Sequence, residues 1–154
     1  FKALTIMGLT PIWIILYFLF KPDFSGISIT GILLAIPVML LAFIIGYLLS
    51  AAITSLAFWT TRVYSIHEFY HALILLFSGQ FVPLTLMPRV FQDIAQYLPF
   101  QLLLYYPIQL IRGKLSAEQI IQGYVMAFIW LGISALLFNW VWRNGVKRYS
   151  AVGA

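Results

Sequence analysis

The sequence predicts an all-α fold, a polytopic membrane helical bundle with about four transmembrane helices and a re-entrant or interfacial helical hairpin before the last one. Three observations lead there. Only 8% of the 154 residues are charged and 63% are hydrophobic, against roughly 25% charged in an ordinary soluble domain. So little charge does not cover a water-facing surface, and the apolar side chains must face lipid. Several stretches approach or exceed the roughly 20 apolar residues that a helix needs to cross the hydrocarbon. One further apolar segment is too broken by proline and glycine to be a spanning helix.

The spans follow in order. The first covers about residues 4–20, a little short, with Pro11 able to kink it; Lys21, Pro22 and Asp23 end it, and Ser25-Gly26 makes a turn. The second covers about 27–53 and contains Pro37; Trp59 and Arg62 then mark an interface. The third covers about 64–84, carrying His67, Glu68 and His71 early and Ser78-Gly79-Gln80 late. The fourth covers about 117–142, opened by a capping box of Ser116 and Gln119 and free of charge from Gly123 to Phe138. Gly123, Gly132 and Ser134 on it are small enough for close helix packing. All of this reads as a single transmembrane domain, and Phe1 in place of an initiator methionine leads us to expect the C-terminal part of a longer chain.

Between the last two spans, Phe81 to Leu115 is apolar on average but interrupted by Pro83, Pro88, Pro99, Pro107 and Gly113. Pro88 to Leu98 reads as a short amphipathic helix, with Arg89, Gln92, Asp93 and Gln96 on one face and Val90, Phe91, Ile94 and Leu98 on the other. A second short helix runs from Gln101 to Arg112 and stops at Gly113. Helices too short to span, joined at prolines, make a re-entrant or interfacial hairpin over about 85–115.

Composition excludes some chemistry. There is no Cys, hence no disulfide framework and no thiolate metal site. The net charge of +5 is spread along the chain, which does not make a nucleic-acid patch and reads instead as topology markers. Charge within the spans is nearly absent, against a proton relay or an ion filter. The cluster Arg143, Lys147 and Arg148 directly after the last span is the kind of flank expected on the cytoplasmic side, although the basic residues divide almost evenly, five against four, between the two sides.

His67-Glu68-Phe69-Tyr70-His71 matches H-E-x-x-H. On a helix the two imidazoles lie one turn apart and can chelate zinc, with the intervening Glu as base for the metal-bound water. This supports an alternative function, an intramembrane zinc metalloprotease similar to the site-2 type. Those enzymes supply a third ligand from a downstream Asp-Gly, and no Asp-Gly occurs here. The other reading places His67, Glu68 and His71 at the water–lipid boundary, with no metal.

A different set of residues resembles the ABC-2 class of ABC transporter permeases, in its subgroup of six-helix subunits. The series is Phe58-Trp59-Thr60, Ser78-Gly79, Pro83, Pro88, Leu98-Pro99-Phe100, Tyr106-Pro107, Gly113, Trp130 and the tail from Arg148 to Ala154. The resemblance implies that these spans are the third to sixth of a permease whose first two precede Phe1. It makes the broken hairpin, with Pro83, Pro88, Pro99, Phe100, Pro107 and Gly113, the family's re-entrant extracellular element. No Gly-x-x-x-x-Gly-Lys-Ser/Thr loop occurs in the sequence, so ATP and Mg would be bound by a partner ATPase subunit and no cofactor by this chain. The further expectations are a second permease subunit, identical or different, and contact with the ATPase through Thr60, Thr61 and Arg62. An outer gate would lie near Tyr105, Tyr106 and Gln109, and the location would be the bacterial plasma (inner) membrane. The substrate would be amphipathic or lipid-like and its movement export.

Overall fold

The computed structural model describes residues 10–12, 14–15, 17–19 and 26–152, with side chains through 148. The first anticipated span lies largely outside the described residues, as do its end at Lys21–Asp23, Ser25 and the terminal Gly153 and Ala154; what is described between Thr10 and Leu19 is helical. Among the described residues there is no strand, in agreement with the all-α bundle that the composition predicts.

Helix α1 (Ile29–Ser55) opens on Ser28, whose hydroxyl accepts the Gly31 N–H at 3.3 Å. It is apolar around its whole circumference, so hydropathy does not choose the side that meets protein. Size does. The buried positions Gly31, Ala35, Val38, Ala42, Ile45 and Ala52 form one stripe of mostly small residues. Ala35, Val38, Ala42 and Ile45 cluster with Ala127 of α5 (Ala117–Val152) and with Leu102, Tyr106 and Leu110, while Gly31 meets Leu110; the two long helices make the most extensive helix–helix contact in the molecule. Lipid tails are as apolar as Leu, so close approach through small residues, not hydrophobic exclusion, holds such a pair. The large side chains point outward: Phe43 and Leu136 are each 71% exposed. Such a surface is a liability in water and suits a hydrocarbon surround. Gly132, also a candidate for packing, has open space beside it and takes no part in the seam.

Two local features mark this pair. At the start of α5, Gln119 accepts the Ser116 N–H at 2.9 Å and Ser116 accepts the Gln119 N–H at 3.3 Å, the reciprocal capping box legible in the sequence. In α1, Pro37 has no N–H to give the Leu33 carbonyl and disturbs the preceding turn. The next carbonyl, Leu34 O, accepts the Tyr124 hydroxyl of α5 at 2.6 Å. α5 also runs past the anticipated residue 142 to Val152. Hydropathy marked where the apolar stretch stops, but Arg143, Asn144, Lys147 and Arg148 carry no helix-breaking feature.

Helix α2 (Val63–Phe77) is shorter than the 64–84 segment that contains it. Gly79 adopts φ +81° immediately after the last turn, and Pro83 prevents any resumption. The chain then makes a 3-10 turn over Leu84–Leu86 and helix α3 (Arg89–Ala95) behind Pro88. The second arm is divided where a continuous helix from Gln101 to Arg112 was expected. A 3-10 stretch covers Pro99–Leu103, Leu104 breaks it at φ −140°, and α4 covers Tyr105–Ile111. Pro107 explains the break: it cannot donate to Leu103 O, so an α-helix tolerates it only in the first turn. Gly113 closes α4 at φ +60°, donating to Leu110 O at 2.9 Å while Lys114 donates to Gln109 O at 3.1 Å.

The hairpin lies along α1 rather than on top of it. Leu110 sits against Gly31, near the start of α1, while Leu103 reaches Gly46. Those glycines are separated by about 22 Å of helix at 1.5 Å per residue, against a hydrocarbon core of about 30 Å. At the deep end Phe100 packs edge-on to Tyr70 and stacked on Phe77, with ring centroids 5.9 and 6.5 Å apart.

A Cβ on Gly31 would collide with the Leu110 carbonyl. Gly31→Ala is therefore expected to destabilise the fold by about 1–3 kcal/mol, read as a lower thermal midpoint in detergent. Gly132→Ala, with open space beside it, should leave that midpoint unchanged or raise it slightly.

Candidate functional site

The functional candidates fall at opposite ends of the bundle. At one end, α1 runs through a 3-10 turn (Leu56–Phe58) into the loop that carries Thr60, Thr61 and Arg62. Phe58 is wedged against α5, edge-on to Trp142 at 6.0 Å and in the space left by Gly145, where a Cβ would run into its ring. The Thr60 hydroxyl accepts the Arg62 N–H at 3.1 Å, a local turn that presents the loop; Thr61 and Arg62 are exposed and Thr60 is half-buried.

His67, Glu68 and His71 follow within α2. The Thr54 hydroxyl lies 2.9 Å from Ser50 O and 3.0 Å from His67 Nε2, within hydrogen-bonding distance of both. The hydrogen bond with His67 ties α2 to the last turns of α1. The His67 and His71 ring centroids are 6.3 Å apart, and Glu68 is exposed. Among the described residues no group of three His, Cys, Asp or Glu side chains is placed to hold a metal ion, whereas a catalytic zinc takes three protein ligands and an open position. The contact with Thr54 gives His67 a structural role, joining α2 to α1. Metal analysis of the purified protein should accordingly find zinc far below one equivalent, unchanged in His67→Ala; one equivalent lost in that variant would establish the protease reading.

At the other end the hairpin and α5 enclose a cleft of about 170 Å³. Tyr105 and Tyr106 line it together with Gln96, Gln101, Gln119 and Gln122; Gln109 is half-buried and not among its lining residues. Tyr106 is buried, packs against Gly123 where no side chain intervenes, and donates to Ile120 O at 2.8 Å. Of the hairpin residues singled out from the sequence, Pro99, Phe100 and Pro107 are buried, Pro83 and Pro88 are exposed, and Gly113 is an exposed turn beside Ser28. The glutamines were missed. Their signal was present on α5, where Gln119, Gln122, Gly123 and Met126 recur at one helical face, but nothing local says that Gln96 and Gln101 meet them.

Side-chain donors and acceptors hold the broken backbone in place. Trp130 donates its indole N–H to Tyr97 O at 2.8 Å, Gln92 donates to Met87 O at 2.7 Å, and Gln101 to Gln96 O at 3.0 Å. Backbone completes the set: Tyr105 N–H reaches Ser78 O at 3.1 Å and Ser28 N–H reaches Ile111 O at 2.9 Å.

Comparison with known proteins agrees with this architecture. The chain matches the family profile described as ABC-2 family transporter protein over residues 2–153. No curated protein matches it, and no solved structure does. Nearly the whole length is covered, including the long small-residue pair, the hairpin and the cleft. The chain belongs to the ABC-2 transporter family, as a membrane permease subunit of an ABC transporter.

Proposed function

We propose that this permease subunit exports an amphipathic or lipid-like substrate across the bacterial plasma membrane, driven by a separate ATPase subunit that binds ATP and Mg. A second permease subunit, identical or different, completes the pathway at their interface. The observation that carries this reading is the arrangement of the hairpin. A proline-broken element lies along about 22 Å of α1, and its Met87, Gln96 and Tyr97 carbonyls accept side-chain donors of the same bundle. Backbone of this kind is tolerated at membrane depth only where protein shields it or it lines a cavity. The element is thus suited to gate one face, while Thr60, Thr61 and Arg62 offer an exposed contact to the ATPase at the other.

Force on that loop has a direct route inward. Phe58 bears on α5 at Gly145, and Thr54 holds His67 of α2. ATP-driven closure of the ATPases would shift these helix ends together and change the hairpin's seat against α1. The exposed side chains on the outer faces of α1 and α5 are Leu, Ile, Phe and Trp, compatible with a substrate that keeps an apolar tail in lipid.

Two measurements test the reading. Thr61→Asp with Arg62→Asp should uncouple ATP hydrolysis from transport in proteoliposomes, lowering transport at least tenfold with the ATPase still turning over; retained coupling removes these residues from the contact. The second uses the absence of Cys from these 154 residues. A membrane-impermeant maleimide should label Asp93→Cys on the exposed side of α3 and leave Leu104→Cys unlabelled, although Leu104 is 37% exposed on the protein surface. Equal labelling of both positions would place the hairpin in water and overturn the gate.

A further inference from the structure

The cleft between the hairpin and α5 has a composition of its own. Amides from three separate elements converge on it: Gln96 after α3, Gln101 in the 3-10 stretch, and Gln119 and Gln122 on α5. Tyr105 adds a half-exposed ring and hydroxyl. No charged side chain lines it. Leu115, Gly123 and Met126 complete its lining.

Much of that capacity is unspent within the protein. The Gln101 amide nitrogen is used on Gln96 O, and the Gln119 oxygen on Ser116 N–H. The Gln101 oxygen, the Gln119 nitrogen, both polar atoms of Gln96 and Gln122 and the Tyr105 hydroxyl have no hydrogen bond within the described residues. An amide offers a donor and an acceptor side by side, the complement of neighbouring hydroxyls, each of which also donates and accepts. An exposed tyrosine face offers an apolar platform for a ring's C–H face. A phosphate or carboxylate would instead call for the charge-assisted donors of Arg or Lys, which the lining lacks. The volume, about 170 Å³, is below the roughly 300–1,000 Å³ of sites for drug-sized ligands. It fits one ring or one headgroup.

Position adds to chemistry. Gln119 and Gln122 stand in the first two turns of α5, after Lys114 and Glu118, and Met126 continues the same face into the charge-free part of the helix. The cleft therefore runs from the headgroup level into the hydrocarbon. We propose that it binds a neutral, hydroxyl-rich ring of the sugar type, as the headgroup of a lipid or as a free sugar. The inference rests on the permease reading and deepens it, giving the substrate a polar end.

The test is native mass spectrometry of the full-length protein in detergent, titrated with monoglucosyl diacylglycerol, phosphatidylglycerol or unmodified diacylglycerol. The glucosylated lipid should bind at least tenfold more tightly than the other two. Gln96→Leu with Gln122→Leu, both at exposed positions, should weaken it about tenfold, the scale of two lost hydrogen bonds, and leave diacylglycerol retention unchanged. Displacement of the glucolipid by millimolar methyl glucoside assigns the site to a free sugar, and persistence of the adduct assigns it to the lipid headgroup; either upholds the proposal. Equal binding of phosphatidylglycerol, or an unchanged affinity in the double variant, overturns it. Because the readout needs no ATPase, failure here is distinct from failure of the coupling experiment.

Discussion

Every backbone N–H and C=O that leaves helical register inside a membrane needs a partner from protein, since the hydrocarbon supplies none. That requirement organises this molecule. A chain interrupted at Pro83, Pro88, Pro99 and Pro107 has to find its missing bonds elsewhere, and the surrounding residues are those that provide them. Gln92 and Gln101 turn back on their own hairpin, and Trp130 reaches across from α5. Even the C-terminal carbonyl of Ile111 is matched by the N–H of Ser28. The glutamines and aromatics of this segment thus serve the backbone before they serve any ligand.

The same constraint explains why the two long helices place small residues toward the protein interior and large ones toward lipid. Both faces are apolar, so segregation is by shape. Glycine at positions 31, 123 and 145 admits, respectively, a carbonyl, a phenol ring and a phenyl ring. Those insertions join the hairpin to both long helices at one end and the Thr60–Arg62 loop to α5 at the other. Family membership fixes the molecule as a permease subunit, and this framework gives the two ends a mechanical connection through rigid elements.

Much of the fold was legible because its signals are local or compositional. Low charge forces a lipid-facing surface; Ser116 and Gln119 announce a helix start; Gly113 announces a stop. Other features needed three dimensions. Gly123 and Gly132 look alike in the sequence, yet only Gly123 has a ring against it. The extent of α2 was overread because an apolar run continues past Phe77, whereas the conformation of Gly79 decides where the helix ends. The cleft was half legible: Tyr105 and Tyr106 stood out near the hairpin, but the amides that give it chemical character come from elements separated in the chain. H-E-x-x-H carries a strong chemical suggestion by spacing alone. Only the Thr54 hydroxyl, thirteen residues earlier, reveals how His67 Nε2 is occupied.

That last contact also shapes how the exposed loop behaves. Thr54 and His67 lie on either side of the turn that displays Thr61 and Arg62, and their hydrogen bond closes the segment at its base like a clasp. Beside it the aromatic wedge of Phe58 against Trp142 joins the same turn to α5, so the base of the displayed loop is fastened to all three helices.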